Sequence, residues 1–105
     1  KTICERYAPG GYTLTHRISG DAFLTEEGML TGIVADAVKE VTGQIPAFST
    51  GGGTSDARFI KDICPVVEFG TTGFTPHQVN ERVETKVLQD LSACYEAVLR
   101  RFFAA

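Results

Sequence analysis

Residues 49–60 run Ser49-Thr50-Gly51-Gly52-Gly53-Thr54-Ser55-Asp56-Ala57-Arg58-Phe59-Ile60. Three successive glycines let a backbone turn sharply or let a ligand approach it closely. The hydroxyls that follow favour a helix start, and Thr54 or Ser55 is expected to cap a helix running through Phe59 and Ile60 to about residue 63. Ile45 to Ser49 reads as a short strand, so the glycines mark a strand-to-helix turn. The first N–H groups of a helix lack partners within it and its dipole favours negative charge, so such a turn suits an anion. An ordinary capped turn with no ligand uses the same residues, and both readings stand on the sequence. The segment is not a P-loop, which needs Gly-Lys-Ser/Thr, nor a G-x-G-x-x-G turn.

Downstream, Pro65-Val66-Val67-Glu68-Phe69 reads as a buried strand with proline at its edge. Residues 70–83 form a loop containing Gly73, Pro76 and His77. A last helix is expected over Thr85 to Phe103, with Val87, Leu88, Leu91, Cys94, Val98, Leu99 and Phe102 as its apolar stripe. Upstream, Tyr12, Leu14, His16 and Ile18 alternate with Thr13, Thr15 and Arg17, the period of a half-buried strand. His16 on that face reads as a satisfied, partly buried side chain. Thr25 is expected to cap a helix with Glu26 and Glu27 at its positive end. Its stripe is Leu30, Ile33, Val34, Ala37, Val38 and Val41, and Gly43 followed by Pro46 stops it. Alternating strands and helices give an α/β class.

The chain has 105 residues, enough for one small domain, and a net charge of −3, which excludes a basic nucleic-acid surface. No stretch approaches the roughly 20 apolar residues of a membrane helix. Cys4, Cys64 and Cys94 are odd in number and widely spaced, which argues against a disulfide framework and fits the reducing cytoplasm. The chain starts at Lys1 without an initiating methionine and is expected to be a piece of something longer.

The second candidate for chemistry is His77, in Thr75-Pro76-His77-Gln78-Val79-Asn80-Glu81. A histidine in a loop after a buried strand sits where α/β folds place active-site groups, and histidine is a common metal ligand. A solvent-exposed loop histidine explains the same residues. Glu81 is open to three readings: a ligand, a partner to the histidine, or a surface charge.

Taken together, the glycine segment 49–60, the run Pro65-Val66-Val67-Glu68-Phe69-Gly70 and the run His77-Gln78-Val79-Asn80-Glu81 resemble the succinyl-diaminopimelate desuccinylases, a family of the zinc aminoacylase-like metallohydrolases. Ile18-Ser19-Gly20, Ala22-Phe23-Leu24-Thr25 and Val41-Thr42-Gly43 match as well, so the resemblance covers nearly the whole chain in order. It implies the C-terminal part of a dizinc amidohydrolase. That enzyme releases succinate from N-succinyl-LL-2,6-diaminopimelate on the route to lysine and cell-wall precursors. It implies a cytoplasmic homodimer with no nucleic-acid or membrane partner. Residues 1–20 match the tail of an inserted dimerisation domain, and residues 21–105 match the C-terminal part of the catalytic domain. His77 matches a zinc ligand; Gly53, Thr54 and Arg58 match positions around the succinyl group. The family's asparagine four residues before that histidine is Gly73 here. The family's His-x-Asp metal motif and paired glutamates have no counterpart in the chain, so the piece is expected to be inactive alone and not to hold zinc stably. A related deacylase of acetylornithine deacetylase type, and a non-catalytic anion-binding or dimerisation module, are the alternatives.

Overall fold

The computed structural model describes residues 2–51, 53, 55–71, 73 and 75–104. Four helices occur among them: α1 (Thr2–Tyr7), α2 (Met29–Thr42), α3 (Ala57–Ile60) and α4 (Thr85–Ala104). Only α2 and α4 pack on each other as elements. Their contact is made of small side chains. Ala37 of α2 and Ala97 of α4 are each 0% exposed, and Cys94 and Val38 are buried beside them. Small residues at a crossing let two helices approach until their backbones nearly touch, and every contact atom then lies in dense packing. Burial, and after it the Asp90 carboxylate, push the Cys94 thiol above its ordinary pKa of 9.0. The thiol therefore stays neutral and packs as a small hydrophobe.

The far end of the pair is tied by charge. Glu40 of α2 receives Arg101 of α4, and Arg100 stands 3.9 Å away. The termini of α2 follow local rules. The Gly28 N–H donates to the Thr31 hydroxyl at 2.7 Å, and that hydroxyl donates back to the Gly28 carbonyl at 2.8 Å. Gly43 ends the helix with φ 73°, its N–H on the Lys39 carbonyl at 2.9 Å, the left-handed stop that glycine adopts without steric cost.

Several expectations change. Helix α2 begins at Met29 rather than just after Thr25, because the Thr25 hydroxyl is spent elsewhere, donating to the Val66 carbonyl at 2.7 Å. Glu26 and Glu27 accordingly lie before the helix. Helix α3 stops at Ile60, and α1 appears where no element was expected. No β-strand forms among the described residues; 12–18, 45–49 and 65–69 carry no strand pairing. Strands are stable in company, three or more with a buried face, and these segments find no neighbouring strand to ladder with. His16 is exposed rather than partly buried, because the face it shares is open: Leu14 is 57% and Ile18 71% exposed.

The molecule is correspondingly open. Its radius of gyration is 19.3 Å, against about 13 Å for a compact chain of this length. Its accessible surface is 8975 Å², against about 5,700 Å² for a compact protein of this mass. Among the described residues no helix is long and apolar enough to cross a membrane.

Candidate functional site

The segments around the glycine turn build one cleft of about 640 Å³, whose walls include Gly20, Asp21, Ser49, Gly53, Arg58 and Glu68. Three contacts hold its walls. The Thr25–Val66 hydrogen bond joins the segment before α2 to residues 65–69. Ser55 accepts the Ala57 N–H at 3.1 Å and donates to the Glu68 carboxylate. This is a local serine turn rather than the expected helix cap, since Asp56 is the residue before α3 and its side chain makes no capping bond. The Tyr95 hydroxyl of α4 donates to the Phe69 carbonyl at 2.6 Å, with the two rings edge to face at 5.8 Å. The glycine turn is thus pinned to residues 65–69, and those residues to the helix pair.

Arg58 lies on the floor of this arrangement. Its guanidinium sits 4.8 Å from the Phe59 ring centroid, a cation–π contact. Its stem runs along Gly20, where an added Cβ would come within 3.1 Å of Arg58 Cδ and 3.3 Å of Phe59 Cε1. A side chain at residue 20 would therefore need the Arg58 stem and the Phe59 ring to give by a few tenths of an ångström. Gly53 differs: a Cβ there would meet nothing within 4 Å, so the space beside it is open to a ligand. Two residues singled out in the sequence, Gly53 and Arg58, are brought together in one cleft; Thr54, the third, lies outside the described residues. Gly20, Asp21 and Glu68 carry no local signal for this cleft, since they meet it across 13 or more residues of chain, and Ser55 was expected only at a helix start.

His77 stands apart from this cleft, exposed on the loop before α4. The loop is two successive turns. The Gln78 N–H donates to the Thr75 carbonyl at 3.2 Å and the Glu81 N–H to the Gln78 carbonyl at 3.1 Å. Pro76 takes the second place of the first turn and His77 the third, with φ 61°; Asn80 takes the third place of the next, with φ 65°. Proline followed by a positive φ is the signature of a type II turn, whose third place favours glycine or asparagine. An L-residue in this left-handed region costs roughly 1–2 kcal/mol relative to its ordinary conformations. Asparagine tolerates it, and histidine too is found there more often than most side chains. A hollow of about 310 Å³ lies alongside, walled by Gly73, Thr75, Glu81 and Arg82.

No group of three His, Cys, Asp or Glu side chains gathers among the described residues. His77 offers an exposed imidazole, a single donor where a catalytic zinc needs about three. The three cysteines are free: Cys94 buried, Cys4 half-buried and Cys64 exposed.

The sequence profile described as "Peptidase family M20/M25/M40" matches residues 3–101. A protein of Caulobacter vibrioides (strain NA1000 / CB15N) named succinyl-diaminopimelate desuccinylase is 54% identical over 96 residues, covering 91% of this chain and 25% of that protein. Proteins of the same name from Phenylobacterium zucineum (strain HLK1) and Ruegeria pomeroyi are 56% identical over 95 residues and 58% over 88 residues. They are covered to 25% and 23% of their lengths, and 90% and 84% of this chain is matched. The chain spans about a quarter of the length of the curated relatives it matches. No solved structure matches it.

Proposed function

The chain belongs to peptidase family M20/M25/M40, and from that premise we propose that it is the C-terminal part of a succinyl-diaminopimelate desuccinylase. In that longer protein residues 1–20 would close an inserted dimerisation domain and residues 21–105 would complete an α/β catalytic domain. Its extended segments would then gain the strand neighbours they lack here. The reading includes a cytoplasmic homodimer that uses zinc and acts on N-succinyl-LL-2,6-diaminopimelate. The printed names of the relatives support the substrate, and the free cysteines are consistent with a reducing compartment.

The observation that carries the reading is the meeting of Gly53 and Arg58 in one cleft. The bare edge at Gly53 lets an acyl chain lie against backbone, and Arg58 offers the positive charge that a second carboxylate seeks. Phe59 stacks on the guanidinium and keeps it from swinging away. The acids Asp21 and Glu68 share the cleft, and Glu68 is engaged by Ser55, which turns part of its charge from the anion's place. His77 supplies one metal ligand. The chemistry that bound zinc supplies is polarisation of the amide carbonyl and activation of water. The other ligands and the base have no counterpart in this chain, which is therefore inactive alone.

The test compares kcat/KM of the longer protein for succinyl and acetyl substrates. A charge-assisted hydrogen bond contributes about 1.5–3 kcal/mol, so Arg58→Met should lower kcat/KM for the succinyl substrate by about 10- to 150-fold. The acetyl substrate, which lacks the second carboxylate, should change by less than about threefold. An equal loss on both substrates overturns the acyl-site assignment.

A further inference from the structure

The His77 loop is closed by a side chain to which no role is yet given. The Thr75 hydroxyl donates to the Arg82 carbonyl at 2.9 Å and accepts the Arg82 N–H at 3.1 Å. One hydroxyl thus fastens both backbone groups of a residue seven positions on, and the double turn of residues 75–82 is clasped at its two ends. Within the clasp the backbone is held in two left-handed places, at His77 and Asn80. Neither turn is packed: residues 76–82 are all exposed, so hydrogen bonds rather than a core hold this shape. Two turn bonds link residues 75 to 78 and 78 to 81. Without the clasp they would permit the loop to open at its mouth, and the conformation at His77 would relax toward the ordinary region.

We propose that Thr75 is a positioning residue for His77: its hydroxyl holds the type II turn that presents the imidazole as a metal ligand. The proposal rests on the reading of His77 as a ligand. Thr75 touches neither metal nor substrate in this account. It acts by keeping a strained backbone in place before the metal arrives, so that the imidazole need not be ordered on binding. A threonine hydroxyl suits the task because it is at once a donor and an acceptor, which the Arg82 carbonyl and N–H require together. Valine keeps the shape and loses both bonds, whereas serine keeps both.

The experiment uses the longer protein and measures zinc dissociation constants by competition with a chelator, the melting temperature of the metal-free protein, and kcat and KM for the succinyl substrate. Outer partners of metal ligands typically alter affinity by about 10- to 100-fold. Thr75→Val is expected to weaken one zinc by about that factor, to lower kcat at limiting zinc, and to leave KM unchanged. Thr75→Ser is expected to restore tight binding. The metal-free melting temperature should fall little, since the clasp is exposed. Limited proteolysis of the metal-free Thr75→Val protein should cut faster within residues 75–82. Zinc bound by Thr75→Val as tightly as by the unmodified protein, while His77→Ala loses it, overturns the clasp and leaves the ligand reading standing. Serine as weak as valine also overturns the clasp. Zinc retained in full by His77→Ala overturns the ligand reading and the clasp with it.

Discussion

The helix pair and the two turns hold their shape by different physics. Where α2 crosses α4, Ala37, Val38, Cys94 and Ala97 are buried, and packing does the holding. Among the described residues of 49–56, and at 75–82, almost nothing is buried, and side-chain hydroxyls do it: Ser55 at the glycine turn and Thr75 at the histidine loop, with Thr25 across the cleft. The residues proposed to bind substrate or metal, Gly53, Arg58 and His77, stand outside the buried crossing. A buried crossing is sensitive to every atom added or removed, whereas an exposed turn tolerates any side chain that its backbone angles allow. Stability and function therefore ought to be separable by mutation along this line.

The largest effect should come at the crossing. Ala97→Asp puts a carboxylate where the side chain is 0% exposed, and the nearest arginines along the helix, Arg100 and Arg101, already face Glu40. An uncompensated buried charge costs about 3–5 kcal/mol, a large share of any small domain's stability. Far-ultraviolet circular dichroism is expected to show loss of most of the helical signal. A variant that stays helical with an unchanged urea midpoint would mean that the crossing does not anchor the fold.

How much of this was legible in the sequence follows the same division. The helix pair was readable because its information is local: apolar residues at helical spacing, and Gly43 after the last of them. The predicted span of α4 differs from the observed one by a single residue, but of its predicted stripe Cys94 is buried while Leu88, Leu99 and Phe102 are exposed, and the buried Ala97 lay outside it. A hydroxyl beside the start of α3 was readable for the same reason, though Ser55 stands one place too early to cap it. The strands were read from alternation alone, and alternation says which face a strand would bury without saying what lies beside it. Tyr12 illustrates the gap: its hydroxyl donates to Glu5 at 3.0 Å, a contact to a helix that carries no apolar stripe to announce it. The cleft joins residues 20, 53, 58 and 68, which no local spacing relates. The histidine loop lies between these cases. Proline before His77, and Asn80 three residues on, are turn signals, but the clasp from Thr75 to Arg82 required the geometry.

An intermediate effect is expected where the two kinds of region meet. The Thr25 hydroxyl donates to the Val66 carbonyl across 41 residues of chain, and both groups are partly buried. Thr25→Val keeps the volume, removes the donor and leaves the carbonyl without that partner. A hydrogen bond of this kind contributes about 0.5–1.5 kcal/mol net. The urea midpoint should fall by a corresponding amount, and hydrogen exchange should quicken along residues 65–69. Thr25→Ser should recover most of the loss. No change in either measurement would show that the cleft wall is held by packing rather than by this bond.

The smallest effect on stability should come at His77, the proposed zinc ligand. His77 occupies a backbone conformation, φ 61°, that glycine adopts freely, and its side chain is exposed. His77→Gly removes a left-handed penalty of roughly 1–2 kcal/mol. It adds the entropy that glycine loses on folding, about 0.5–1 kcal/mol. The difference is a net gain of about 0–1.5 kcal/mol, and the imidazole takes little packing with it, so the urea midpoint should stay or rise slightly. His77→Ala gains no such relief and should sit slightly below glycine. In the longer protein both variants should lose one zinc alike, since neither side chain can ligate. Clear destabilisation by glycine would place His77 among the residues that hold the fold. Stability kept while zinc is lost would mean that the chain carries a strained histidine for its chemistry alone.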